Sequence, residues 1–85
     1  MTLTDCKPDH VLFQIFPKLT CISTIDEIFA SKIVVSDLYA SNENEFSDHI
    51  EFEAGELTSV NSKFIQFPPN TTVDQIKALH PEYFI

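Results

Sequence analysis

Apolar residues fall in short blocks along this chain, and the spacing within each block sets the element expected there. Residues 10–16, "HVLFQIF", are dense in β-branched and aromatic side chains with little alternation, predicting a strand buried on both faces and closed by Pro17. After the connector "KLTCIS", Thr24 and Glu27 stand in capping-box spacing, where a hydroxyl accepts from the third helical amide and the acid reaches back. Ile25, Ile28 and Phe29 follow at i, i+3, i+4, so a short helix is expected over 24–31. The next apolar block, in "KIVVSDLYA", predicts a strand over 33–39, and the polar run "SNENEFSD" a loop. In "HIEFE", Ile50 and Phe52 alternate with His49, Glu51 and Glu53, giving a strand with one apolar and one anionic face.

Ala54-Gly55-Glu56 reads as a turn, leading through "LTSV" into a further strand, "SKFIQF", which Pro68-Pro69-Asn70 stops. Thr72 and Gln75 repeat the capping-box spacing, and Val73, Ile76 and Leu79 supply the inner face of a second helix. Pro81 ends that helix, because the residue before a proline avoids helical geometry. The tail "EYFI" is apolar and is expected to fold back over an open core, the alternative being a docking peptide for another protein. The resulting order is β-α-β-β-β-α. It predicts one α+β domain over 1–85, a mostly antiparallel sheet of about four strands with two short helices on one face.

Two heptapeptides nearly coincide: "TIDEIFA" at 24–30 and "TVDQIKA" at 72–78, preceded by "LFQIFP" and "KFIQFP" respectively. Both read as capped helix starts following a Phe-Pro strand ending. A duplicated β-loop-α unit of this kind would give pseudo-symmetry rather than chemistry.

Composition supports a packed core, with 44% hydrophobic residues and eight Phe among 85, and argues against disorder. No apolar run approaches the roughly 20 residues of a membrane-spanning helix, and "MTLTDCKPDH" lacks the basic and apolar regions of a signal peptide. A cytoplasmic location is therefore expected, with Cys6 and Cys21 as free thiols rather than a disulfide.

Charge then narrows the function. The net charge is -8, and Arg is absent. Between Lys32 and Lys63 there is no basic residue except histidine, while Asp37, Glu43, Glu45, Asp48, Glu51, Glu53 and Glu56 all fall there. Direct nucleic-acid binding and an anionic membrane surface are disfavoured, since both need clustered Lys and Arg. The acids lack the D-x-[DN]-x-[DN]-G order of a calcium loop, the cysteines lack metal-type spacing, and no metal or other cofactor is expected. His10, His49 and His80 are dispersed, and no phosphate loop, nucleophile elbow or H-E-x-x-H pattern occurs, so the chain does not read as an enzyme.

Glu51 and Glu53, two apart on a strand, project to one side, and Asp37 is expected beside them on a neighbouring strand. The seven acids of this window are the candidate partner-binding residues. Such a surface suits a basic, even nucleic-acid-binding, protein partner, and is similar in character to small phage-type inhibitors that mimic a phosphate backbone. The alternative is a structural or assembly subunit, of a virion for example, contacting its neighbours through the apolar tail and a sheet edge. An open edge would also admit a second copy as a homodimer.

Overall fold

Pro17 and Lys18 form the two-residue turn that joins β1 (Val11–Phe16) to β2 (Leu19–Ile28), and the ladder then runs without interruption from Phe16↔Leu19 to Val11↔Thr24. The computed structural model describes residues 1–41 and 49–84. β3 (Lys32–Ala40), β4 (Ile50–Glu53) and β5 (Lys63–Phe67) complete a five-stranded sheet in the order β4-β3-β2-β1-β5, every neighbouring pair antiparallel. The helices are α1 (Ala54–Leu57) and α2 (Val73–Leu79), with short 3₁₀ turns at Leu3–Asp5 and Pro81–Tyr83. The chain is thus a small α+β domain built on an antiparallel sheet.

The expected helix over 24–31 is not formed. Its first five residues are the end of β2, whose ten residues are rich in Thr and Ile and pair with β1 on one side and β3 on the other. A side-chain cap is worth about 1 kcal/mol. Strand pairing satisfies the backbone along the whole segment and buries Ile25 completely, a gain of roughly 2–3 kcal/mol for that side chain alone. Burial on the sheet outweighs the local signal. The second copy of the heptapeptide does become a helix, because Pro68 and Pro69 cannot extend a ladder and Asn70 takes a left-handed φ of 68°. Thr72 and Gln75 then cap reciprocally, with Gln75 N–H donating to Thr72 Oγ1 (3.1 Å) and Thr72 N–H donating to Gln75 Oε1 (2.8 Å). The turn expected at Ala54-Gly55-Glu56 tightens into α1.

The core lies on both faces of the sheet. On one face Leu12, Ile25, Ile33, Val35 and Phe52 pack with Cys6 and with Leu57 of α1. On the other, Val11, Phe13 and Ile22 pack with Ile76 of α2 and with Tyr83 and Phe84. The two helices therefore sit on opposite faces, not on one as expected. β1 feeds both clusters, its apolar side chains turning alternately to the two faces. Leu79 departs from its expected inward position and is 63% exposed, with Ile76 and Val73 making the helix's inner contacts. The apolar tail folds back: Phe84 stacks on Phe13 with ring centroids 5.4 Å apart, and Tyr83 meets the same ring edge-on.

Candidate functional site: an anionic sheet face

A β-bulge in β2 decides which acids share a surface, and a second bulge interrupts β3 beyond them. In β2, Asp26 is the extra residue between the pairs Ile25↔Val35 and Glu27↔Val34; in β3, Leu38 is extra between Ile22↔Tyr39 and Ser23↔Asp37. Ile33 and Val35 point into the Leu57 cluster, so Ser36 and Val34 point to the opposite face. The Ser36 hydroxyl donates to the Asp26 carboxylate, which places Asp26 on that face as well. One cross-strand row then reads Glu27–Val34–Glu51, with Val34 buried between the two acids. Lys32↔Glu53 forms the next pair along.

Asp26, Glu27, Glu51 and Glu53 consequently occupy one surface spanning β2, β3 and β4, all of them exposed. By strand spacing, Glu51 and Glu53 stand about 6.8 Å apart along β4, and Glu27 lies roughly 10 Å from Glu51 across two ladders. Lys32 Nζ reaches Glu51 Oε1 at 2.7 Å and also lies over the Phe29 ring, 5.6 Å from its centroid. His49 Nε2 is 3.0 Å from Glu51 Oε2. Hydrogen bonds from Lys32 and then His49 hold the Glu51 carboxyl below the usual carboxylate range. Among the described residues Glu27 and Glu53 have no ion-pair partner, so a single lysine is set against four carboxylates.

The candidate acids divide. Glu51 and Glu53 lie on this face. Asp37 is on the other: it alternates in step with Ile33 and Val35 and stands opposite Ser23, where Gln14 Nε2 donates to Ser23 Oγ (2.8 Å) and Ser23 Oγ donates to Asp37 Oδ1 (2.7 Å). Its carboxylate closes a polar chain over the sheet interior rather than extending the anionic row. Glu56 is exposed on α1, the helix that packs Leu57 against that same opposite face. Glu43, Glu45 and Asp48 lie outside the described residues. Asp26 and Glu27 were missed by sequence reasoning because a helix was expected there. The density of Thr and Ile in "LTCISTIDEI" is the signal that could have placed them on a strand.

Elsewhere the titratable groups serve packing. Cys6 and Cys21 are free and buried. Burial, with the Asp37 charge adding to it, pushes the Cys21 thiol up to about 11, well away from the depressed values of reactive cysteines. His80 packs among the rings of Phe13, Phe67 and Tyr83. Among the described residues no group of three or more His, Cys, Asp or Glu side chains is gathered as metal ligands would be, and no helix is long and apolar enough to cross a membrane. Comparison with protein-family models, with curated proteins and with solved structures gives no match for this chain.

Proposed function

We propose that this chain is a small acidic protein-binding module, an inhibitor or modulator that occludes a basic surface of a partner protein. The observation that carries the reading is the bulge at Asp26, which adds Asp26 and Glu27 to the row begun by Glu51 and Glu53. Four carboxylates on one rigid sheet surface repel one another and cost stability. They also present fixed negative charge to a cationic surface, speeding encounter and setting its orientation. A cluster of fixed carboxylates of this kind imitates the charge of a phosphate backbone, so a nucleic-acid-binding protein is the partner class it suits best. The assembly reading is weakened by Tyr83 and Phe84, which are occupied in the core and are not free to dock.

The test is binding of the immobilised chain to proteins that it captures. The parent is compared with a variant carrying Asp26→Asn, Glu27→Gln, Glu51→Gln and Glu53→Gln. Raising salt from about 0.1 M to about 1 M shortens the screening length from roughly 10 Å to roughly 3 Å, and the captured basic proteins are expected to elute over that range. The neutralised variant is expected to capture them poorly at low salt. Capture that ignores salt, or that survives neutralisation of all four acids, overturns the proposal.

A further inference from the structure

The sheet has two edges, and the chain treats them differently. β4 carries Glu51 and Glu53 along its four residues, so two β4 edges brought together would oppose like charges, a common guard against edge pairing. β5 has no such guard. Its sequence is Lys63-Phe64-Ile65-Gln66-Phe67, it contains no proline or bulge, and it pairs with β1 in unbroken register. Among the described residues no backbone hydrogen bond reaches its outer side. The surrounding stretch, residues 57–73, contains no acid at all in a chain of net charge -8. The edge with unsatisfied backbone groups is also the part of the molecule where self-repulsion is least.

A second feature adjoins this edge. Phe67 and Pro68 at the end of β5, with Gln75, Ala78 and Leu79 of α2, line an open and largely apolar cleft of about 440 Å³. Leu79 stands at that cleft 63% exposed. On the other flank of α2, Lys77 Nζ lies 4.7 Å from the Tyr39 ring centroid, toward β3, so the 75–78–79 side overhangs β5.

From these placements we infer that β5 is a self-association edge, and that its partner is a second copy of this chain related by a two-fold axis through Ile65. Antiparallel pairing about that axis sets Ile65 against Ile65, Phe64 against Gln66 and Lys63 against Phe67, with no like charges opposed. The strand is self-complementary, as an isologous interface demands. Leu79 of each copy then covers apolar surface beside the shared edge. The product closes on itself as a ten-stranded sheet whose two remaining edges are the acid-guarded β4 strands, which halts further growth.

Sedimentation over about a hundredfold range of concentration tests this by mass action. The weight-average mass is expected to rise from one chain toward two. Leu79→Glu, at an exposed position that leaves the fold alone, is expected to weaken association roughly tenfold or more, since both symmetry-related side chains lose their burial. Amide hydrogen exchange in the parent is expected to slow with concentration at Lys63–Phe67 and to stay constant at Ile50–Glu53. The inference is overturned by a single-chain mass throughout, by a Leu79→Glu variant that dimerises as tightly as the parent, or by concentration-dependent protection of β4 instead of β5.

Discussion

Among the described residues Gln14 is the one long polar side chain in the sheet interior, only 1% exposed, on a strand that is otherwise apolar as far as Phe16. Its amide is satisfied through Ser23, itself fully buried, and the chain of bonds ends on Asp37 at the rim. Three strands are linked by three side chains. A neutral buried bond adds only about 1 kcal/mol, but an orphaned donor costs roughly 1–3 kcal/mol. Ser23→Ala leaves the Gln14 amide without its acceptor and should lower urea stability by that larger amount. Asp37→Asn keeps an acceptor oxygen for Ser23 and should cost less. Equal losses in the two variants would show that the chain of bonds is not what holds Gln14. Alternation with Ile33 and Val35 turns Asp37 to their face of the sheet, but nothing in the sequence shows that Ser23 and Gln14 stand there to meet it.

Two nearly identical heptapeptides adopt a strand in one place and a helix in the other, so what decides is the residues before them. "PKLTCIS" continues a hairpin and hands Thr24 to the sheet; "PPN" breaks the ladder and hands Thr72 to a cap. The helix-start signal is read correctly at 72–75 and misread at 24–27, since a capping box is a local preference of about 1 kcal/mol that tertiary pairing overrides. Thr72→Ala should therefore destabilise the protein by about 1 kcal/mol and fray the start of α2, seen as faster amide exchange at Gln75. Thr24 caps nothing, and Thr24→Ala should leave the exchange of residues 25–28 without any such local change. The remaining strands were legible because each is short, β-branched or aromatic, and closed by proline or a polar run. The same misreading hid half of the anionic face: Glu51 and Glu53 were visible from alternation in "HIEFE", whereas Asp26 and Glu27 needed β2 to be recognised as a strand.

At the scale of the molecule, one sheet separates two apolar clusters, and each is closed by a terminal part of the chain. Met1, Leu3 and Cys6 join α1 over one cluster; Tyr83 and Phe84 join α2 over the other. The apolar character of the tail was evident in the sequence, but its destination was not, because stacking on Phe13 depends on which face α2 selects. Removing residues 82–85 takes away two half-buried aromatic rings and should cost roughly 2–4 kcal/mol by area burial. The unfolding midpoint of the shortened chain checks this, and an unchanged midpoint would show the tail to be dispensable to the core. A consequence follows from β1, hydrogen-bonded on both edges by β2 and β5 and covered on both faces. Neither cluster can open by itself in a way that bares this strand. Its amides are expected to exchange with solvent only when the entire domain comes apart, so β1 reports the global stability while the helices on either face report merely local opening.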